Sequence, residues 1–261
     1  NRSDTIIIAS INNDTGEVRL ASVFRDTYLD MTTGKFNKAN SAYSTGGPEQ
    51  AIKMLNKNLD LTIEKYISVD FAAMTDAVDL LGGIDIDVDE AEIDHLNNYM
   101  VETSKVTGVA SKPLTHTGLQ TLDGVQATSY CRIRYTAGDD FKRTERQREV
   151  IQELVRKAKT MEISKINDII NAVFPKIATN YSNKELLEMA PQMIGYDIAD
   201  TAGFPFDRET GTISGRGSCV IPVNLAENVR QLHEFLYENY DYTPSSEVQK
   251  ISEQITADTG Y

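Results

Sequence analysis

The chain switches repeatedly between a hydrophobic period of two and one near 3.6, and the switches mark its elements. Ile6-Ile7-Ile8-Ala9 is a continuous apolar run, as in strands covered on both faces; Asn12-Asn13-Asp14-Thr15-Gly16 is turn chemistry; Val18 to Val23 returns. This predicts a hairpin whose return strand ends on Phe24-Arg25-Asp26, and strand ends are where α/β sheets carry sites. Gly46-Gly47-Pro48 offers a helix start with proline at its first position, followed by a stripe of Ala51, Ile52, Leu55 and Leu59. Ile63 to Val69 predicts a strand. Asp70 can cap a helix carrying Phe71, Met74, Val78 and Leu81, stopped by Gly82-Gly83, after which Ile84, Ile86 and Val88 alternate with aspartates as a half-exposed strand.

From Ala91 to Thr117 the pattern is polar and irregular and predicts a surface excursion; Leu119 to Ala127 is weakly helical and Thr128 to Tyr135 strand-like. Helices are predicted at 144–160, 164–174, 183–194 and 224–239, the third opened by a Ser182-x-x-Glu185 capping box. Ile198–Gly203 and Cys219–Ile221 read as closing strands. The interleaving predicts the α/β class, in one domain over residues 1–240, with a Ser-, Thr- and Glu-rich, loosely docked tail at 241–261.

Composition narrows the function classes. At 261 residues, 40% hydrophobic and 25% charged, the chain can bury a full core. Its net charge of −13 argues against a general nucleic-acid binder, because phosphate contacts supply most of such affinity. No stretch approaches a membrane helix, so an export signal or anchor would lie outside these residues. Cys131 and Cys219 form no CxxC and have no histidine near them in sequence, which argues against zinc. They are either free thiols or a disulfide worth about 4 kcal/mol in an oxidising compartment.

Between Arg132 and Arg148 the charge balance inverts. Arg132, Arg134, Lys142, Arg143, Arg146 and Arg148 stand against Asp139, Asp140 and Glu145. On a strand Arg132 and Arg134 would share a face, opposite Cys131, Ile133 and Tyr135. On the following helix the apolar stripe of Ile151, Leu154, Val155 and Ala158 projects back onto Gln147 and Arg143, with Arg146 off its edge. A helix start rich in forked guanidiniums suits phosphate. The plainer reading keeps equal weight: Arg132 pairs with the Asp139-Asp140 turn, and Thr144-Glu145-Arg146-Gln147 is a capping box. Arg25-Asp26 carries the same ambiguity between salt bridge and site. Arg2 and Asp4 share a face at the opening of the first strand, and a lone aspartate holds magnesium only with help from water and substrate oxygens.

These segments, in order, resemble one family. Arg2-Ser3-Asp4-Thr5, Ser22-Val23-Phe24-Arg25-Asp26-Thr27-Tyr28, Lys38-Ala39-Asn40-Ser41-Ala42-Tyr43 before Gly46-Gly47, Leu81-Gly82-Gly83-Ile84, and Tyr130-Cys131-Arg132-Ile133-Arg134 with Asp140-Phe141-Lys142-Arg143-Thr144-Glu145-Arg146-Gln147 are similar to the LytR-CpsA-Psr domain over residues 1–150, and more weakly to about 240. The resemblance implies a three-layer α/β/α sandwich around a mixed central sheet. It implies an enzyme on the outer face of a bacterial plasma membrane, tethered by an N-terminal anchor. Such an enzyme uses Mg²⁺ to move a teichoic-acid-like, capsular or other wall polysaccharide from a polyprenyl-diphosphate carrier to a peptidoglycan hydroxyl.

Carried over by position, Arg25, Arg132, Arg134 and Arg143 are the diphosphate-binding arginines, with Arg2, Arg146 and Gln147 as further substrate-binding residues and Asp4 associated with magnesium. The family's other acidic residue, in a Gly-x-Asp about a dozen positions upstream, falls before residue 1. Asp26 and Asp140 are the candidate bases. Phe71, Met74, Val78, Leu81, Ile151, Leu154 and Val155 could line a tunnel for the lipid or be plain core. A carrier diphosphatase and a non-catalytic module for lipid phosphate or wall polymer are the alternatives.

Overall fold

The structure, a computed structural model, describes residues 2–134 and 139–261. The chain divides into two compact units, Asn1–Glu64 with Asp197–Tyr261 and, between them in sequence, Lys65–Tyr196.

The first unit opens with β1 (Ile7–Ile11) and β2 (Glu17–Val23), the predicted hairpin, whose turn is held by Asn12 Oδ1 accepting from the Asp14 and Thr15 amides. A second hairpin, β3 (Tyr28–Asp30) and β4 (Phe36–Lys38), leads into α1 (Asn40–Leu59). That helix is broken at Gly46 and Gly47, the latter at φ +67°, so the predicted start at Pro48 opens its second half. After the other unit the chain returns as β9 (Asp197–Phe204), β10 (Arg208–Ile213), β11 (Gly217–Pro222), α8 (Leu225–Tyr237) and α9 (Ser246–Thr259).

β2 is the central strand of a mixed sheet, antiparallel to β1 (Ile8 opposite Ala21) and parallel to β9 (Ala21 beside Ala202). One cluster of buried side chains joins Ala21 and Val23 of β2 to Leu55 and Leu59 of α1, Val229 and Leu232 of α8, and Val248, Ile251 and Ile255 of α9. The loosely docked tail is therefore corrected. Its apolar residues recur at helical spacing within a polar segment, and Ser245 caps the helix by accepting from the Val248 amide. Gly203 on β9 lies under the Phe24 ring; a Cβ there would come within 2.5 Å of it.

The second unit runs β5 (Ile67–Ser68), α2 (Phe71–Leu80), β6 (Ile84–Val88), α3 (Glu90–Thr107), β7 (Gly118–Leu122), α4 (Gly124–Tyr130), α5 (Asp139–Lys159), α6 (Ile163–Val173), β8 (Ala178–Thr179) and α7 (Asn183–Met193). Asp70 caps α2 as predicted, and Ser182 and Glu185 form the predicted capping box. Two expectations fail. The "irregular" stretch from Ala91 is mostly α3, opened by an Asp89–Glu92 capping box and buried along Leu96, Met100 and Thr103. The region read as helix and then strand is the reverse, because β7 pairs with β6 (Ile84 opposite Leu122) and Asp123 then caps α4. α4 packs so close to α2 that a Cβ on Gly124 would collide with the Thr75 backbone. Tyr135, the end of the predicted strand, lies outside the described residues.

The class is the expected mixed α/β one with a mixed sheet. Among the described residues no helix is long and apolar enough to cross a membrane.

Candidate functional site

Each unit carries one cluster of the predicted residues. In the first, β2 ends at Val23 and delivers Arg25 and Asp26 beyond the sheet edge, while the end of β4 brings Lys38 alongside. The Asn40 amide donates to the Arg25 carbonyl at 3.0 Å, fixing the start of α1 against this turn. Arg25 Nη1 donates to Asp4 Oδ1 at 2.5 Å, and its Nε lies 3.7 Å from Asp26 Oδ2. Asp26 Oδ1 is 3.2 Å from Lys38 Nζ. Two carboxylates and two cations thus alternate on one edge, with the Arg25 side chain 17% exposed and that of Asp4 56% exposed. Arg2 is exposed, and no bond of its side chain enters this cluster among the described contacts.

The same unit holds polar atoms the resemblance gave no role. The hydroxyls of Ser22 and Ser41 and Oδ1 of Asn40 are buried without a hydrogen-bond partner among the described residues, as is the hydroxyl of half-buried Ser3. A buried polar group left unpaired costs about 1–3 kcal/mol, so each of these atoms calls for a partner, an ordered water or a ligand group. Ser3, Ser22, Lys38, Asn40 and Ser41 all lie inside the quoted motifs, which was the available signal.

In the second unit the site residues follow α4 and open α5. Arg134 grips Asp140 with both arms of its fork, Nε to Oδ1 at 2.9 Å and Nη2 to Oδ2 at 3.2 Å. Arg143 Nη1 reaches the same Oδ1 at 3.0 Å. Two guanidiniums therefore converge on one carboxylate, which fixes their donors in place. To act as a base, Asp140 would first have to give up these bonds; its evident work is to orient them.

Arg132 goes elsewhere. It sits in a turn rather than on a strand, donates to Glu102 at 2.6 Å and to the Thr103 hydroxyl at 3.0 Å, and stacks over the Phe71 and Tyr99 rings. The shared face expected of Arg132 and Arg134 rested on a strand that does not form. Nor does Arg132 pair with Asp140, since Glu102 holds it; the Asp139 side chain lies outside the described residues.

The first turns of α5 are buried to a degree unusual for charged residues: Arg143 is 3% exposed, Arg146 2%, Gln147 5% and Arg148 8%. Arg146, projected off the edge of the stripe, is instead the deepest, paired with buried Glu92 at 2.7 Å and lying over Tyr130. It pins α5 to α3. Gln147 Nε2 donates to the Cys131 carbonyl at 3.2 Å, and Thr144 donates to the Phe141 carbonyl, so the Thr144–Gln147 capping box does not form. The helix has already begun at Asp139.

Of the proposed tunnel residues, Val78 is core, Met74 and Leu154 pack against that core, and Phe71 faces Arg132. Leu81 is buried, while Ile151 and Val155 are half-buried and outside both core clusters. Both cysteines are free thiols; burial pushes Cys131 up to about 12 and raises Cys219, so neither is a ready nucleophile. Among the described residues no three metal-ligating side chains gather. A hard cation such as magnesium accepts one or two carboxylates and completes its shell with other oxygens; the carboxylate expected to meet it, Asp4, is 56% exposed and pairs with Arg25.

Known proteins resemble this chain over most of its length. The model of the LytR_cpsA_psr family matches residues 1–217. A Bacillus subtilis (strain 168) relative named polyisoprenyl-teichoic acid–peptidoglycan teichoic acid transferase TagV is 28% identical over 256 residues, 94% of this chain and 61% of the relative. The TagU transferase of Enterococcus faecalis is 32% identical over 192 residues, 72% of this chain and 58% of the relative. The crystal structure of B. subtilis TagV superposes with a TM-score of 0.72 at 26% identity, covering 94% of this chain and 91% of that one. The chain thus spans about three fifths of the length of the curated relatives it matches.

Proposed function

The chain belongs to the LytR_cpsA_psr family, and from that premise we propose that it is a phosphotransferase that moves a teichoic-acid-like or other wall glycopolymer from a polyprenyl-diphosphate carrier to a hydroxyl of peptidoglycan. The observation that carries the reading is the convergence of Arg134 and Arg143 on Asp140 at the nearly buried start of α5. The names of the TagV and TagU relatives supply the substrate class.

In this reaction the acceptor oxygen bonds to the glycopolymer-side phosphorus while the bond from that phosphorus to the bridging oxygen breaks, and the carrier departs as a polyprenyl phosphate. Charge grows on the bridging and non-bridging oxygens. Fixed, desolvated donors stabilise that charge better than water can, because they need not reorganise. Arg134 and Arg143 of the second unit are suited to this; the first unit carries a cationic pair of its own, Arg25 and Lys38. Asp26, whose cation contacts are looser at 3.2 Å to Lys38 and 3.7 Å to Arg25, is the better candidate to take the acceptor's proton than Asp140, which two guanidiniums hold at 2.9–3.2 Å.

Magnesium would be held by Asp4, with water and substrate oxygens completing its shell, and would neutralise charge on the diphosphate. The reading also places the chain on the outer face of the plasma membrane, held by an anchor outside these residues.

The test uses purified protein, a prenyl-diphosphate-linked glycan and peptidoglycan fragments. Acceptor-dependent transfer that slows when EDTA is added supports the reading. Carrier cleavage that ignores the acceptor would make it a diphosphatase, and binding without turnover a recognition module.

A further inference from the structure

Three arginines near the start of α5 are buried, and two of them have carboxylates: Arg143 has Asp140 and Arg146 has Glu92. Arg148 does not. At 8% exposure it makes one long contact, Nη1 to the Thr144 hydroxyl at 3.4 Å, while its Nε is buried with no partner and no carboxylate lies within ion-pair distance among the described residues. The one carboxylate that acts on it among the described residues, Glu145, is itself held by Lys142 at 2.9 Å. Burial pulls the Arg148 guanidinium below its ordinary value, a sign of how poorly its charge is compensated. Guanidinium does not shed its proton in a protein, so the charge stays and calls for an anion that the described residues do not supply.

The helix indicates which anion. Thr144, Arg148, Ile151 and Val155 are spaced by four, three and four residues and share one side of α5, polar toward the start and apolar beyond. Ile151 and Val155 are half-buried and outside the core clusters. A ligand that matches this order is a phosphate followed by hydrocarbon.

We propose that Arg148 is a phosphate-binding residue, assisted by the Thr144 hydroxyl, that takes the phosphate of an isoprenoid phosphate whose chain runs on along Ile151 and Val155. This rests on the transferase reading for its substrate class and adds a residue that the family resemblance left without a role. In that reading Arg148 holds the phosphate nearer the lipid, the one that stays with the departing carrier, while Arg134 and Arg143 serve the transferred phosphoryl group.

The test is calorimetric titration of the full chain, as wild type, R148Q and R148K, with farnesyl phosphate, farnesol and inorganic phosphate in one detergent, together with thermal melting of each unliganded protein. Wild type should bind farnesyl phosphate more tightly than either fragment. R148Q should lose about tenfold or more of that affinity with farnesol unchanged, and R148K should stay within about threefold of wild type. Unliganded R148Q should melt no lower than wild type, because it removes a buried, uncompensated charge. Unchanged farnesyl phosphate affinity in R148Q, a lower melting temperature or failure to fold in that variant, or wild-type affinity for inorganic phosphate equal to that for the lipid, would each overturn the inference. The transfer assay separates the two proposals. Arg148-dependent lipid binding without transfer keeps this inference and discards the transferase, whereas transfer with Arg148-independent binding does the opposite.

Discussion

At the scale of single residues, the arginines differ in what they can be spared from. Arg25 pairs with Asp4 and Asp26, which belong to neither core cluster, whereas Arg132 is bonded to Glu102 and Thr103 and sandwiched with Phe71 and Tyr99. Truncating Arg25 removes charge where a phosphate would bind but leaves the core clusters untouched. Arg25→Ala should therefore lower the transfer rate by about 10²–10³ while stability stays within about 1 kcal/mol of wild type. Arg132→Ala should lose both, since its aromatic and hydroxyl contacts hold α2 and α3 around the turn. Steady-state transfer kinetics beside urea unfolding of both variants checks the contrast. Near-normal transfer by Arg25→Ala would remove that residue from the site.

At the scale of elements, the functional stretch depends on how α5 is fastened. Glu92 serves two tasks at once: Oε2 accepts the Asp89 amide in the α3 capping box, and Oε1 accepts from Arg146 Nε. One carboxylate thus ties the start of α3 to the start of α5, which presents Arg143 and Arg148. Arg146→Met should cost about 3–5 kcal/mol, because it strands a buried carboxylate, and adding Glu92→Gln should recover a good part of that loss. Denaturant unfolding of the two singles and the double measures the coupling; additive losses would show that the pair does not act as a unit.

The same element shows what the sequence could reveal. Helices with an apolar stripe and a capping residue, such as α2 and α7, were legible to within a residue or two, and so was the first hairpin. α3 was not, since its buried stripe of Leu96, Met100 and Thr103 is thin and half polar. β7 escaped because strand formation there depends on pairing with β6, a partner more than thirty residues away. For the candidate site, the motifs single out Arg25, Arg134 and Arg143, but not the partners the structure gives them. Glu92 and Glu102 belong to a stretch that read as irregular surface, and an arginine's role is decided by the carboxylate it meets. Arg148 was counted as one more positive charge because nothing in a sequence distinguishes a compensated guanidinium from an uncompensated one.

For the whole molecule the relevant quantity is the contrast between a net charge of −13 and arginines that are almost fully buried. The two act over different distances. The overall negative field extends into solvent and repels an anionic lipid head group on approach, and salt screens it with a Debye length of about 10 Å at 0.1 M. The contacts that hold a bound phosphate are desolvated and short, and salt reaches them poorly. Association with a prenyl-phosphate ligand should therefore speed up with added salt, by about two- to fivefold between roughly 20 and 200 mM, while dissociation changes little. This is the opposite of a nucleic-acid binder, whose affinity collapses over the same range as counterions are released. Stopped-flow binding at several salt concentrations distinguishes them. An association rate that fell steeply with salt would mean that an exposed basic patch captures the ligand first, and the buried guanidiniums of α5 would lose their place as its primary receptor.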